Sequence, residues 1–139
     1  MRDIGSNRAW GALRQRGRAL WLTIVVGGAA LTWASDRFGA WWIVVVVGII
    51  AGLALRSPFA TISAAVLAPW LGWGGDLAAQ ATSANIPGAA GVLAAILGLS
   101  VGAGAVVIAV TFLFALLLAL AGAWVGAALR HSVLVLARP

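Results

Sequence analysis

Residues 89–129 read AAGVLAAILGLSVGAGAVVIAVTFLFALLLALAGAWVGAAL and carry no charged side chain. A single helix of this length would extend to about 60 Å, whereas the hydrocarbon core of a bilayer is about 30 Å thick. The stretch therefore predicts either two membrane spans or one span preceded by a helix that does not cross. We expect the chain to break near 100–104, which leaves 89–102 as a re-entrant or interfacial helix and 104–129 as the last span.

The composition of the whole chain indicates a membrane protein. Of its 139 residues, 63% are hydrophobic and only 9% are charged, and the mean hydropathy is +1.08. Soluble proteins contain roughly 25% charged residues, and a short soluble chain cannot hide this much apolar surface from water. Lipid is the solvent that fits this composition, and the length suits a single domain.

Charged residues divide the first half of the chain into apolar runs. The runs cover 19–35, 38–55 and 57–75, and as helices they are long enough to cross most or all of a bilayer. Pro69 should kink or end the third helix. Together with 104–129, these runs predict an all-α integral membrane protein of about four transmembrane helices, arranged as two hairpins with the extra helix before the last span.

The arginines favour four spans over five, because cytoplasmic loops carry an excess of positive charge. With a cytoplasmic N-terminus, four spans place Arg37 outside and all other arginines inside: Arg2, Arg8, Arg14, Arg16, Arg18, Arg56, Arg130 and Arg138. Five spans would move Arg130 and Arg138 outside. We therefore predict a multi-pass protein of the cell membrane with both termini cytoplasmic.

The same charges define three segments of the chain. Residues 1–18 form a basic cytoplasmic arm, 19–130 the transmembrane domain and 131–139 a cytoplasmic tail. Arginines near the span ends are expected to mark topology and contact anionic lipid headgroups, each contributing roughly 1 kcal/mol: Arg14, Arg16, Arg18, Arg56 and Arg130.

The two predicted hairpins resemble each other. Residues 48–56 read GIIAGLALR and residues 122–130 read GAWVGAALR, so both follow the pattern GxxxGxALR. The first helices of the hairpins end in WASD at 33–36 and WGGD at 73–76. This similarity suggests two hairpins in the same orientation, related by an axis along the membrane normal. The alternative is chance similarity in a chain rich in Ala, Gly and Leu.

Glycines four residues apart leave one helix face without side chains, so that another backbone can approach closely. Such faces could pack within the subunit or contact a partner chain. The sequence contains three pairs of this kind, Gly48/Gly52, Gly98/Gly102 and Gly122/Gly126.

The chain lacks the residue types of most catalytic and metal sites. It has no Cys, and His131 is its single histidine, so a multi-histidine metal site cannot be built from one copy. Asp36 and Asp76 should lie where spans meet the outer surface, as solvated caps or as a partner of Arg37. The alternative is a role in transport, which a membrane-embedded carboxylate would indicate. We predict no enzymatic activity, no cofactor, no metal and no nucleic-acid partner, and we infer no small-molecule substrate.

These predictions favour a non-catalytic accessory or structural subunit of a larger membrane complex, for example an energy-transducing one. Its partners would be membrane lipids and other integral membrane subunits. The alternative is a small self-assembling channel, transporter or holin-like pore. A pore needs a polar stripe along a helix, and the hydroxyl residues of the spans do not form one: Thr23, Thr32, Thr61, Ser63 and Thr111.

Overall fold

A computed structural model describes residues 4–80 and 86–136, except for the side chains of 4–14 and 87. These residues contain no strand and form five α-helices and one 3₁₀ turn: α1 (Ile4–Asp36), α2 (Ile43–Ala54), α3 (Pro58–Gln80), α4 (Ile86–Ile96), the 3₁₀ turn (Val101–Ala103) and α5 (Gly104–Leu136). The all-helical class predicted from the sequence is confirmed for this part of the chain.

A glycine turn ends α1. Gly39 has a φ of 66°, which glycine adopts at little steric cost. Its N–H donates to the carbonyl oxygen of Asp36 at 3.0 Å, and the N–H of Ala40 donates to that of Ser35 at 3.0 Å. This pair of bonds is a Schellman motif. Before the turn, α1 is continuous, so the predicted boundary at residue 18 between arm and span is not a break in the helix.

The long apolar run is interrupted close to the predicted break. The backbone of Ser100 is extended, the 3₁₀ turn follows, and α5 begins at Gly104. The 11 residues of α4 extend over only about 16 Å. They are too few to cross a bilayer core of about 30 Å, so 88–129 contains one long helix and not two.

The prediction that Gly98 and Gly102 form a packing stripe is wrong. Gly98 lies in the turn after α4 with a φ of 77°, and Gly102 lies in the 3₁₀ turn, so they share no α-helical face. A methyl group at Gly98 would have no neighbour within 4 Å. Gly98 is instead the left-handed residue of a second Schellman motif, in which its N–H donates to the carbonyl oxygen of Ala95 at 3.0 Å.

α3 extends beyond the predicted apolar run. It continues past residue 75 to Gln80, and Pro69 lies inside it without ending it. Asp76 is therefore inside a helix, and only 2% of its surface is exposed. The prediction that Asp76 is a solvated cap is wrong. A side-chain hydrogen bond from Gln80 to Asp76, four residues apart, supports the last turn of the helix.

The four helices of the two hairpins pack as parallel pairs across the hairpins. α1 packs mainly on α3, and α2 mainly on α5, whereas helices of the same hairpin contact each other less. Corresponding positions meet between α1 and α3, where Gly28 faces Ala68 and Gly72 faces Thr32. These contacts follow the sequence repeat and fit two hairpins related by an axis parallel to the helices.

Glycines bring α2 and α5 into backbone contact. A methyl group added at Gly48 would overlap the carbonyl oxygen of Ala119, and one added at Gly122 would overlap that of Val45. The same relation holds one turn further along for a second set of residues, Gly52 with Ala123 and Gly126 with Ile49. The two glycine pairs therefore both lie in the contact between α2 and α5 inside the subunit, and the structure leaves neither as a free face for a partner chain.

Small residues form the interior of the bundle, and large apolar residues lie outside. The fully buried residues include Ala51, Ala64, Ala65, Ala68 and Ala119. Side chains more than half exposed include Leu22, Val26, Leu113, Phe114 and Leu117. Close packing through small residues is typical of helices in lipid. In the described chain, two helical segments are long and apolar enough to cross a membrane, Gln15–Asp36 and Val101–Leu136.

Candidate functional site

Three arginines surround a cavity at one end of the bundle. Arg16 and Arg18 come from α1, and Arg56 comes from the link between α2 and α3. The cavity has a volume of about 1050 Å³, and most of its other walls are apolar, including Leu20, Trp21, Phe59 and Leu67. We call it the arginine cavity. It joins a positively charged rim to an apolar interior.

Arg130 lies at the same end but is held by the protein backbone. Its Nη1 donates to the carbonyl oxygen of Leu55, which also accepts a hydrogen bond from Thr61 Oγ1 at 3.2 Å. Leu55 directly follows α2, so the arginine compensates the partial negative charge of that helix end. Of the five arginines predicted to contact headgroups, three line the arginine cavity, Arg130 links α5 to α2, and the side chain of Arg14 lies outside the described residues.

Two carboxyl groups meet at the opposite end of the bundle. Gly72 of α3 faces Thr32 of α1, so Asp76 and Asp36, each four residues further along, occupy neighbouring positions. One oxygen of Asp76, Oδ2, accepts a hydrogen bond from Nε2 of Gln80. The other, Oδ1, is buried and has no hydrogen-bond partner in the described part of the chain. We call Asp36 and Asp76 the aspartate pair.

The polar groups closest in sequence to Asp36 are engaged elsewhere. Arg37, one predicted partner of the aspartates, lies over the ring of Trp33 with its guanidinium carbon 4.3 Å from the ring centroid. The buried hydroxyl of Thr32 donates to the carbonyl oxygen of Gly28 at 2.7 Å, and that of Ser35 donates to the carbonyl oxygen of Thr32 at 3.0 Å. Asp36 is exposed and Asp76 is buried, so the pair places one solvent-facing and one buried carboxyl group side by side, and negative charges this close repel each other.

A pocket of about 370 Å³ adjoins the aspartate pair. Asp36 lines it together with Trp73 and Phe112, whose rings meet edge to face with centroids 6.5 Å apart. α4 and α5 complete its walls with apolar side chains such as Leu93 and Ile108. We call it the aspartate pocket. It combines one carboxyl group, two aromatic rings and an apolar lining.

Sequence reasoning treated Asp36 and Asp76 as separate surface residues and missed their contact. The signal was in the repeat, because each aspartate follows a tryptophan by three residues, in WASD and WGGD. In two parallel repeats related by an axis between them, equivalent positions on neighbouring helices face each other. The repeat therefore could have predicted the aspartate pair.

The other polar residues of the spans form no further site in the described chain, although Ser63 lines the arginine cavity and Thr111 lines the aspartate pocket. No group of three or more His, Cys, Asp or Glu residues could hold a metal ion among the described residues, and His131 is exposed on α5. The span hydroxyls each donate to a backbone carbonyl group: Thr23, Thr32, Thr61, Ser63 and Thr111. These hydroxyls do not line a polar path.

Comparison with known proteins gives no relative: no family model matches the chain, and no curated protein or solved structure matches it either.

Proposed function

We propose that this chain is a four-helix integral membrane protein, with both termini cytoplasmic, that serves as a non-catalytic subunit of a larger membrane complex. In this proposal α1, α3 and α5 cross the bilayer as helices, and α4 enters it without crossing. The 12 residues of α2 extend over only about 18 Å, so this span also includes the apolar turn residues 38–42 before the helix. The observation that carries the proposal is the surface of α5. The most apolar 18-residue stretch within Val101–Leu136 has a mean hydropathy of 2.8, and only 17% of it is buried within the chain.

The length of α5 supports a protein partner in addition to lipid. Its 33 residues extend over about 50 Å, well beyond a bilayer core of about 30 Å. After Arg130, the helix continues with apolar residues that are largely exposed, including Val133 (63%), Leu134 (60%) and Leu136 (85%). The described part of the chain does not cover this apolar surface beyond Arg130, and another membrane subunit would cover it.

Co-purification from the native membrane tests the complex. We expect the full chain, extracted in mild detergent, to bring down an integral membrane protein in fixed stoichiometry. The double variant Val133→Ser/Leu134→Ser should reduce that yield at least about tenfold, because each buried aliphatic side chain contributes about 1.5–3 kcal/mol. Phe38→Ser, which alters an 87% exposed side chain in the turn after α1, should leave the yield unchanged.

A chain that purifies alone as a discrete homo-oligomer, and that conducts ions in liposomes, would contradict the subunit proposal. It would support the small channel or transporter instead. That second candidate is favoured by one observation, the buried Oδ1 of Asp76, which has no hydrogen-bond partner among the described residues, because ionisable groups inside membrane helices commonly mark ion or substrate pathways.

We further propose that the arginine cavity binds an anionic phospholipid. Guanidinium groups bind phosphate oxygens in a bidentate manner, and the apolar walls provide space for the start of an acyl chain. This proposal gives Arg16, Arg18 and Arg56 one common ligand. It assigns Arg130 no part in binding, because Leu55 already engages its Nη1.

Removing one arginine from the cavity should weaken lipid binding. Arg56→Gln should lower the affinity for phosphatidylglycerol about fivefold, since each arginine near an anionic lipid contributes roughly 1 kcal/mol. Native mass spectrometry of the full chain would count the phosphatidylglycerol molecules retained. Arg37→Gln removes the same charge at the opposite end and serves as the control. Equal retention by the two variants would show that bulk charge, and not the cavity, attracts the lipid.

A further inference from the structure

The geometry points to a second ligand site, and we propose that the aspartate pair and the aspartate pocket bind an organic ammonium ion with an apolar body. Only 2% of the surface of Asp76 is exposed, and its Oδ1 has no hydrogen-bond partner in the described chain. Asp36 belongs to both the pair and the pocket wall. Asp36 is therefore the carboxyl group of the pair that a ligand in the pocket would contact, and Asp76 lies behind it.

The charge of the site selects a cation. Leaving a buried carboxylate oxygen without a partner is costly, and a second carboxyl group beside it raises that cost when both are ionised. A single positive charge near Asp36 would compensate the pair. The described lining of the pocket includes no basic side chain that could do so.

The shape and lining of the pocket select an organic cation over a metal ion. Hard metal ions such as Ca²⁺ and Mg²⁺ take about six or more oxygen ligands, whereas most of this pocket is lined by carbon. Trp73 and Phe112 present aromatic rings, and such rings attract ammonium groups through cation–π interactions. The volume of about 370 Å³ falls within the range of small-molecule sites, about 300–1,000 Å³.

The site is independent of the proposed subunit role. It lies at the end of the bundle opposite to the arginine cavity and is formed by residues of this chain alone. A subunit could use it to bind an effector, and a transporter could use it to bind a substrate. Titration with an ammonium probe measures binding of the ligand and not assembly of the complex, so its outcome is distinct from that of the co-purification experiment.

Benzyltrimethylammonium is a suitable probe, because its permanent charge does not depend on pH and its aromatic group is apolar. We expect calorimetry to show saturable one-to-one binding to the full chain in dodecyl maltoside micelles, whose headgroup carries no ammonium group that could compete with the probe. Asp36→Asn and Asp76→Asn should each weaken binding at least about tenfold, as expected for loss of a charged partner. Asp3→Asn makes the same charge change in the N-terminal segment and should leave the affinity unchanged. Circular dichroism would verify that each variant keeps its helix content.

Two competitors test the chemistry of the ligand. Neopentylbenzene has the shape of the probe with carbon in place of the charged nitrogen, and it should compete at least tenfold less well. Sodium chloride should not displace the probe at concentrations comparable with those of the probe. The proposal is overturned if either aspartate variant binds as tightly as the native chain, if the neutral analogue competes equally, or if sodium displaces the probe.

Discussion

Gly122→Ala and Gly126→Ala should each lower the free energy of unfolding by about 2–3 kcal/mol, the upper range for overpacking a tight contact. The added methyl groups would overlap the backbone carbonyl oxygens of Val45 and Ile49. A backbone atom cannot rotate away as a side chain can, so α2 and α5 would have to separate. Their separation would also loosen the reciprocal contacts of Gly48 and Gly52.

Neighbouring glycines in α1 provide graded controls. A methyl group at Gly28 would lie 2.7 Å from Cγ1 of Val47 and 3.0 Å from Cβ of Ala68. These are side-chain atoms at a greater distance than the backbone oxygen that Gly122 would meet, so Gly28→Ala should cost less than Gly122→Ala. A methyl group at Gly27 would have no neighbour within 4 Å. Gly27→Ala should be neutral or stabilising by up to about 1 kcal/mol, because alanine favours helix over glycine.

Unfolding in mixed detergent micelles, followed by circular dichroism as the SDS fraction rises, would measure these differences. We expect Gly27→Ala to be the most stable of the three variants, Gly28→Ala to be intermediate and Gly122→Ala to be the least stable. If Gly122→Ala unfolds at the same SDS fraction as the native chain, the close contact of α2 with α5 is wrong.

The sequence predicts much of this packing because the repeat is visible in it. The pattern GxxxGxALR occurs at 48–56 and at 122–130, and both glycine pairs form the contact between α2 and α5. What the pattern could not decide is whether those faces meet each other or a partner chain. Spacing defines a helix face, but the neighbour of that face depends on how the helices associate.

The packing stripe predicted from the spacing of Gly98 and Gly102 is wrong for a physical reason. Four-residue spacing defines a common face only while the chain stays helical. Gly98 instead adopts a φ of 77° and ends α4. The sequence did indicate a break near Gly102–Gly104, but glycine suits both packing faces and left-handed turns.

The aspartate pair shows that a hydropathy pattern cannot predict whether a charged residue at the end of an apolar run is buried. Asp76 marks the end of an apolar run, and charged residues at such boundaries commonly lie in water. α3 nevertheless continues to Gln80, and packing against α1 buries Asp76. Hydropathy describes the side chain alone, whereas burial depends on the neighbouring helix, which here carries Asp36 at the equivalent position.

Cysteine labelling of intact cells should give an all-or-none result for the topology. The native chain has no cysteine, so each introduced thiol reports one position. An impermeant maleimide should label Phe38→Cys, in the 87% exposed turn after α1, and Ser83→Cys, which lies outside the described residues. It should not label Ser132→Cys until the cells are permeabilised, although this position is exposed on α5.

The physical reason is the distribution of arginine. Arg16, Arg18 and Arg56 gather at the arginine cavity, and Arg130 lies at the same end of the bundle. Arg37 stacks on Trp33 at the other end. Positive charge resists translocation, so the end with four arginines should remain in the cytoplasm. Labelling of Ser132→Cys but not Phe38→Cys in intact cells would invert the orientation. Labelling of Phe38→Cys but not Ser83→Cys would show that the two hairpins do not point the same way.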